Sequence, residues 1–478
     1  MQIPKIKLDK SSSTPLYVQL SEALLKQIAQ GKLLPDTKLP SIRQMAQALD
    51  VNNTTVISAY KNLEHKTAVY SVVGSGTYVA QPTKEVEPDA EPEMETPLTE
   101  PEPLELPANI DGFINFADAS IDGSLFPVTA FRRAFDSVLE RDGSMAFECH
   151  DARGYKPLRE SLCQLMDGIS VKTTPDCIQV VPGVQQALEA LAKIILQPGD
   201  AVFVEGPAYL GAVAAFFSKR VQIIEMPLAK DGPDFTALEA LLEKHKPKLF
   251  YVTPNFQTPT GISYSAESKQ RLLELAYAHD AYIVEEDQVN DIYYDGIKRT
   301  PLKAQDTGDK VIYIKSFSKI LAPGLNMGFM ACPSHIADEM AKGGIVMAGY
   351  MQRAFDVYLR SGAFEFHAAN VRSVYGRRYH KLVSAVNTYL SPLADFVLPA
   401  GGLSLWITPH KAPGDEDYAA RFLQQNVIVS PGRLYALAGG DEYRFRISFA
   451  AVPEEKIAEG IGVIAAVLAG DSGASPEI

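Results

Sequence analysis

Residues 310–329 read KVIYIKSFSKILAPGLNMGF, a stretch in which a buried strand is predicted to end in a turn that carries a lysine. The apolar, β-branched run VIYI is typical of a strand inside a sheet. Lys319 follows this run and is separated from it by Ser316 and Ser318. Asn326 lies in the loop beyond. Because ligand-binding residues of open α/β sheets collect at the carboxyl ends of strands, Lys319 is a candidate for a ligand-bonding residue.

The same strand-then-helix pattern recurs through residues 109–478. Further strand-like runs are CIQVV, DAVFVEG, KLFYVTP and AYIVEED, and helical patterns at 185–197 and 266–279 lie between them. Alternating strands and helices predict an α/β domain with a mostly parallel sheet covered by helices on both faces.

The bulk composition is that of an ordinary globular protein. The chain has 478 residues, more than one hydrophobic core usually spans, with 46% hydrophobic and 22% charged residues. Its four cysteines form no C-x-x-C pair, which argues against a disulfide framework or a structural zinc site. Residues 1–15 lack the apolar core of a signal peptide, and no apolar run is long enough to span a membrane. We therefore expect a cytoplasmic protein without a metal site.

Charge is unevenly distributed along the chain. Residues 1–80 hold nine Lys/Arg against five Asp/Glu, a local charge of +4. Since the net charge of the whole chain is −13, the remaining residues carry a net charge of −17. Residues 81–108 are rich in Glu and Pro and show neither helical nor strand periodicity. Such a segment buries too little apolar surface to fold, so it is predicted to be a linker. The chain is thus predicted to divide into residues 1–80, a linker at 81–108, and residues 109–478.

The basic front segment has the pattern of a winged helix-turn-helix. Apolar residues at i+4 spacing predict a first helix within residues 15–33. Ser41 and Gln44 form a capping-box pattern for a second helix, and a third is predicted to start at Asn52–Asn53. Two β-rich runs on either side of Gly74–Gly76 predict a hairpin.

A basic module of this kind favours DNA binding, with the start of the recognition helix at base edges and neighbouring hydroxyl and basic groups at phosphates. The candidate DNA-contacting residues are Ser41, Arg43, Thr54, Thr55, Tyr60 and Lys61 in the helices, and Ser75 and Thr77 in the wing. Capping and helix initiation are the competing interpretation for Ser41 and the threonines.

The rear domain offers the parts of a pyridoxal 5′-phosphate site, which are a lysine, phosphate donors, an acid for the ring nitrogen and a ring-covering aromatic. Lys319 is the candidate lysine. Ordered along the chain at strand ends, the other candidates are Val184, Gln185, Tyr209, Thr258, Glu286, Asp287, Ser316, Ser318 and Asn326. Arg446, in YRFRISFA, is a candidate clamp for a substrate carboxylate.

The front segment closely resembles the DNA-binding domain of the GntR superfamily, which typically reads LPS-x-R, then S-R-x-T-V, then a wing ending in G-S-G-T. LPSIR is intact here, and the resemblance implies that Arg43 contacts phosphate. Asn53 stands where the family has the arginine that leads the recognition helix, and Val72 stands where the wing arginine is expected. Losing two cations predicts weaker or altered DNA binding.

The rear domain resembles fold-type I pyridoxal phosphate aminotransferases, and the whole chain resembles the MocR subgroup of GntR regulators. This resemblance implies that Lys319 forms the Schiff base, that Ser316 and Ser318 lie near the phosphate, and that Arg446 binds a carboxylate. It also implies a homodimer with exchanged DNA-binding domains.

The rear domain departs from the aminotransferase pattern at several places. Asn326 replaces the arginine that grips the phosphate, Thr258 replaces the asparagine of N-P-T-G, and Cys149 replaces a tyrosine. A gapless alignment puts Glu286, rather than an aspartate, opposite the ring nitrogen, with Asp287 one residue out of register.

Three functions remain open at this point. One is a transcriptional regulator whose rear domain senses pyridoxal phosphate or an amino compound. Another is a working aminotransferase with an accessory domain, and the third is a cofactor-free scaffold that binds another metabolite. The fused DNA-binding module favours the regulator, and the altered site residues argue against efficient turnover.

Overall fold

A computed structural model describes residues 6, 8, 16–29, 32–65, 68–72, 76–80, 106–107, 109–148, 151–208, 210–344, 347–413, 417–437 and 443–470. Its contacts divide the chain into two compact units, 1–97 and 98–478. The division falls within the segment predicted to be a linker, most of which lies outside the described residues. The exact boundaries at residues 80 and 108 remain predictions.

The described residues of the front unit form three helices and a hairpin. They are α1 (Leu16–Ala29), α2 (Ile42–Leu49), α3 (Asn53–His65), β1 (Val69–Val72) and β2 (Gly76–Val79). The hairpin strands pair antiparallel. Leu20 and Leu24 of α1 pack with Met45 of α2 and Val56 of α3 in one buried cluster. This is the predicted winged helix-turn-helix.

The capping box predicted at Ser41 is present. The Ser41 backbone N–H donates to Gln44 Oε1 at 3.1 Å, and the Gln44 backbone N–H donates to Ser41 Oγ at 3.4 Å. At the other end of α2, Asp50 adopts a left-handed conformation with φ of 49°. Side chains therefore fix the start of this short helix, and a left-handed backbone residue, whose N–H donates to the Ala46 carbonyl, ends it.

The rear unit alternates helices and strands. Its helices are α4 (Val128–Asp142), α5 (Lys156–Asp167), α6 (Val184–Ile195), α7 (Leu210–Phe217), α8 (Phe235–Lys244), α9 (Ala266–Ala278), α10 (Ser334–Lys342), α11 (Gly349–Arg360), α12 (Ala363–Ala385), α13 (Tyr418–Gln424) and α14 (Ile457–Ala469). Its strands are β3 (Ile114–Asn115), β4 (Ile178–Val181), β5 (Ala201–Gly206), β6 (Gln222–Ala229), β7 (Gly232–Pro233), β8 (Pro247–Val252), β9 (Tyr282–Asp287), β10 (Val311–Ser316), β11 (Gly328–Ala331), β12 (Ala394–Phe396), β13 (Ser404–Pro409), β14 (Val427–Ile428), β15 (Ser430–Pro431) and β16 (Phe445–Ser448).

The large sheet has eight strands in the order β4-β11-β10-β9-β8-β5-β6-β7. Neighbours from β10 through β6 pair in parallel, whereas β11 runs antiparallel to both β10 and β4, and β7 runs antiparallel to β6. β4, β5, β8, β9 and β10 therefore end at the same edge of the sheet. The predicted α/β fold class with a mostly parallel sheet is confirmed.

A second, antiparallel sheet of four strands has the order β12-β13-β16-β15. The long helix α12 links the two parts of the rear unit and packs against α14. Arg446 lies on β16 opposite Trp406 and Ser430. Within the described residues, no helix combines the length and apolar character needed to cross a membrane.

Candidate functional site

The site is a cavity of about 550 Å³ in the rear unit, lined by residues from its eight-stranded and its four-stranded sheet. From the large sheet come Glu205, Tyr251 and Glu286, near the carboxyl ends of β5, β8 and β9. Lys319 and Arg446 also line it. The folded chain thus brings together the predicted lysine, the predicted acid and the predicted carboxylate clamp, which are far apart in sequence.

Lys319 is half-buried in the turn after β10. Its Nζ donates to the backbone carbonyl of Ala119 at 3.0 Å. Burial lowers the pKa of Lys319, and the nearby positive charge of Arg446 lowers it further, against the opposing effect of Asp118 and Glu286. A lowered pKa increases the neutral, nucleophilic fraction of the amine, as bond formation with a carbonyl requires.

Glu286 is buried and held by two neighbours. The hydroxyl of Tyr251 donates to Glu286 Oε2, and the Gln288 side-chain amide donates to Glu286 Oε1. Burial raises the pKa of Glu286 to about 7, although the Gln288 hydrogen bond opposes the shift. The carboxyl group is therefore oriented, and it exchanges its proton near neutral pH.

Glu205 is a second buried carboxyl group on the cavity wall. The hydroxyl of Tyr264 donates to Glu205 Oε1, and the Thr253 backbone N–H donates to the same oxygen at 3.0 Å. Burial raises the pKa of Glu205 to about 7, and the charge of Glu286 adds to that shift. The two carboxyl groups therefore influence each other's protonation.

Arg446 is buried, with only 5% of its surface exposed. One guanidinium nitrogen donates to the carbonyl of Ala117, whereas its Nε has no hydrogen-bond partner in the described part of the chain. The guanidinium lies over the ring of Tyr435, 6.0 Å from the centroid. A buried guanidinium with an unused donor, beside a cavity, suits an incoming carboxylate.

The prediction of Asp287 as the alternative partner for the ring nitrogen is corrected by the structure, because Asp287 does not line the cavity. It accepts a hydrogen bond from the Tyr313 hydroxyl at 2.6 Å and lies 3.7 Å from Lys315 Nζ. Lys315 Nζ is also 2.7 Å from Asp291. Consecutive strand residues point to opposite faces, so Glu286 and Asp287 cannot both face the cavity.

The predicted phosphate donors lie at the same sheet edge but are not on the cavity wall. α6 begins at Val184, as predicted, and Gln185 follows it in the first turn. Gly183 precedes the helix and provides no side-chain cap. Ser316 Oγ donates to Ser318 Oγ at 2.9 Å, and the Ser318 backbone N–H donates to Ser316 Oγ at 3.2 Å.

Asn326 is exposed and ends a short 3₁₀ turn in the left-handed conformation, with φ of 45°. Its side chain is not on the cavity wall. Its prediction as a cofactor contact gains no support from this placement. Thr258 does line the cavity. Tyr209 and Cys149 lie outside the described residues.

In the front unit, most candidate DNA contacts are accessible. Ser41, Arg43, Thr54 and Lys61 are exposed, and Thr55 is half-buried. Thr77 is half-buried on β2, and Ser75 lies outside the described residues.

The prediction that Tyr60 contacts DNA is contradicted by its burial. Its side chain is buried, and its hydroxyl donates to the Pro40 carbonyl at 2.8 Å. Burial raises the pKa of Tyr60. The residue therefore fastens α3 to the segment before α2 and does not present its hydroxyl at the surface.

Several cavity residues were absent from the predicted set: Glu205, Tyr251, Gln288 and Tyr435. Glu205 could have been identified from the sequence, because burying an ionisable residue in the apolar strand AVFVEG is costly unless it has a specific partner or role. Tyr251 had a weaker signal, since a tyrosine is common in any buried strand.

Two family profiles match the chain. Aminotransferase class I and II matches residues 113–464, and bacterial regulatory proteins of the gntR family match residues 16–79. The first match covers most of the chain and contains every residue named above on the cavity wall. The second coincides with the winged helix-turn-helix.

Relatives of two kinds are similar to this chain. A 2-aminoadipate transaminase from Thermus thermophilus is 30% identical over 366 residues, which are 75% of this chain and 91% of that protein. A probable rhizopine catabolism regulatory protein, MocR, from Rhizobium meliloti is 27% identical over 470 residues, which are 95% of this chain and 94% of that protein.

A solved structure extends the comparison to three dimensions. It is LysN, the α-aminoadipate aminotransferase of Thermus thermophilus, complexed with N-(5′-phosphopyridoxyl)-L-leucine. The two folds superpose with a TM-score of 0.69 at 29% identity, covering 76% of this chain and 93% of that one. The chain belongs to the class I and II aminotransferase family and carries a gntR-family helix-turn-helix domain in front, the domain composition of the MocR-type regulators.

Proposed function

We propose that the protein is a DNA-binding transcriptional regulator whose aminotransferase domain binds pyridoxal phosphate together with an amino-compound effector, and that this binding controls DNA binding. The observation that carries the proposal is the meeting of Lys319, Glu286 and Arg446 in one cavity of a chain that also bears a gntR-family domain. The relative described as a probable rhizopine catabolism regulatory protein, MocR, aligns with 95% of this chain and 94% of its own length.

The residues of the cavity fit pyridoxal phosphate by their chemistry. Lys319 supplies an amine with a lowered pKa, and Glu286 supplies an acid for the ring nitrogen. The uncapped start of α6 lies at the same sheet edge, and free backbone N–H groups at a helix start favour phosphate. Among the described residues the buried Nε of Arg446 has no partner, so it is available for a second anionic group.

Each residue then has a defined task. The cofactor, when bound, supplies a reactive aldehyde on an electron-withdrawing ring. Lys319 would hold it covalently through Nζ, and Glu286, oriented by Tyr251, would hold or release a proton at its carboxyl group. Arg446 binds the carboxylate of the effector and orients it toward Lys319.

Regulation requires that the effector bind two states of the protein with different affinity. Because the eight-stranded and the four-stranded sheet both line the cavity, an effector would contact elements of the two sheets together. An effector that favours one arrangement of these sheets would shift the population of DNA-binding states.

The proposal is tested by visible absorption and DNA retardation on the same samples. Wild type, Lys319→Ala and the exposed control Lys342→Ala are incubated with pyridoxal phosphate. Wild type and the control are expected to gain a visible band that Lys319→Ala lacks, and amino compounds are expected to change retardation of the protein's own promoter fragment. Steady turnover of an amino acid with a keto acid would instead favour an aminotransferase. Absence of the band from wild type would favour a cofactor-free scaffold.

The proposed assembly is a homodimer with exchanged DNA-binding domains. An apolar surface supports self-association: Phe147 and Met145 are exposed, and the Phe147 ring stacks on Tyr350 with centroids 5.1 Å apart. Tyr350 in turn stacks on Phe135 of α4. Sedimentation of wild type and Phe147→Asp tests this, and a monomeric wild type would contradict it.

A further inference from the structure

Two adjacent asparagines at the start of α3, Asn52 and Asn53, have different surroundings. The side-chain oxygen of Asn52 accepts a hydrogen bond from the Thr54 backbone N–H at 3.1 Å. The Asn52 carbonyl also accepts from the Thr55 backbone N–H at 3.0 Å. Asn52 is therefore occupied as the cap of the helix.

Asn53, the first residue of α3, is exposed, and its side chain has no hydrogen bond within the described residues. Its carboxamide presents a donor and an acceptor side by side. That pair matches the N6 donor and N7 acceptor that adenine shows in the major groove, whereas an arginine matches the two acceptors of guanine.

The surrounding packing holds Asn53 in a defined place. Val56 and Ala59, on the core face of α3, are buried. The Tyr60 hydroxyl is fastened to the Pro40 carbonyl at 2.8 Å, one residue before the cap of α2. Arg43, in the first turn of α2, is exposed. A cation suited to phosphate and a carboxamide suited to a base edge are thus carried by two helices that are fastened together.

We infer that Asn53 determines base specificity by reading adenine at one position of the DNA target. This inference rests on the DNA-binding function proposed above and adds the identity of the base. A bidentate contact of this type discriminates roughly 5- to 150-fold against other bases.

The test is selection of bound sequences from a randomised duplex pool by the full-length protein, followed by affinity measurement on the selected duplex. Wild type is expected to enrich adenine at one position, and Asn53→Arg is expected to enrich guanine there. Asn53→Ala should lose the preference at that position only. Ser58→Ala, exposed on another part of the same helix, is the matched control and should select the wild-type sequence.

The outcomes separate this inference from the function on which it rests. If wild type binds and selects a sequence, but Asn53→Ala and Asn53→Arg select the same base as wild type at every position, the inference is overturned. The proposed DNA binding would then still stand. If wild type retards no duplex at low salt, both are overturned. Asn53→Gln keeps a carboxamide, and thermal unfolding of all variants establishes that an altered preference does not come from misfolding.

Discussion

Glu286 and Asp287 are neighbours in β9, yet their carboxyl groups belong to different environments on opposite faces of the sheet. Glu286 lines the cavity and is held by Tyr251 and Gln288. Asp287 accepts from Tyr313 and contributes to a buried ion cluster. Changes at the two positions should therefore have different consequences, chemical for the first and structural for the second.

Lys315→Met should destabilise the rear unit strongly. Lys315 Nζ is 2.7 Å from Asp291 and 3.7 Å from Asp287, with all three side chains buried. Removing the cation leaves the buried Asp287 carboxylate without Lys315 and leaves Asp291 with Lys298, whose Nζ is 3.2 Å away. Breaking a buried ion pair in this way costs about 3–5 kcal/mol of the free energy of unfolding. Urea unfolding measures it. The triple variant with Asp287→Asn and Asp291→Asn is the control and should recover part of the loss, and a single variant as stable as wild type would contradict the prediction.

Glu286→Gln should flatten the pH dependence of stability in protein freed of cofactor. The folded pKa of Glu286 is raised to about 7, above the ordinary 4.5. The folded state therefore binds its proton more tightly than the unfolded state, so this stabilisation is complete below the ordinary pKa and is lost as pH rises through about 7. Melting temperatures measured between about pH 4 and 8.5 should converge at the low end, below the ordinary pKa of 4.5, with the variant the more stable at high pH. Glu239→Gln, on the surface, is expected to keep the wild-type profile.

Arg446→Lys should weaken effector binding without affecting the cofactor. Lysine cannot reproduce the bidentate contact of a guanidinium with a carboxylate, so the effector concentration for half-maximal spectral change should rise about ten- to a hundredfold. Titration of the visible band with amino acids measures it, with Arg271→Lys as the exposed control. An equal loss of pyridoxal phosphate affinity would place Arg446 at the cofactor.

Asn326→Ala should cost up to about 1 kcal/mol of the free energy of unfolding, because asparagine tolerates the left-handed conformation better than alanine, whose side chain cannot form a local hydrogen bond. Asn326 has φ of 45°. Asn326→Gly is expected to be neutral within about 0.5 kcal/mol, since glycine adopts this conformation without strain. Chemical denaturation of both variants tests the backbone argument, and equal stabilities would refute it.

Tyr60→Phe should lower both the stability of the front unit and its DNA affinity. It removes the hydrogen bond to Pro40 and leaves a buried carbonyl without that donor, at about 1–3 kcal/mol. Because Tyr60 is buried, the salt dependence of DNA binding should not change. The exposed Lys61 provides the contrast, since Lys61→Ala should reduce the slope of log K against log salt by about 1.

Features set by local patterns were predictable from the sequence. The capping box at Ser41 needs only Gln44, three residues away, and the start of α6 at Val184 follows from a glycine turn before a helical pattern. Lys319 was identifiable because a strand end, two serines and a lysine occur together. The GntR and aminotransferase resemblances were confirmed by the family matches.

Features set by long-range packing were not predictable. Tyr60 is buried because its hydroxyl meets Pro40, 20 positions earlier in the chain. A helical pattern alone does not show which face of α3 that ring occupies. Likewise, β9 alternates in a predictable way, but only its packing decides that Glu286 and not Asp287 faces the cavity.

The carbonyl groups of Ala117 and Ala119 have a consequence for how the cavity responds. One accepts from Arg446 and the other from Lys319, and the two alanines are separated by a single residue. A single shift of this short backbone segment would thus release both cations together. An effector that bound both Lys319 and Arg446 would gain two contacts from one movement of this segment. An effector with only an amine or only a carboxylate would require the same movement and gain one contact.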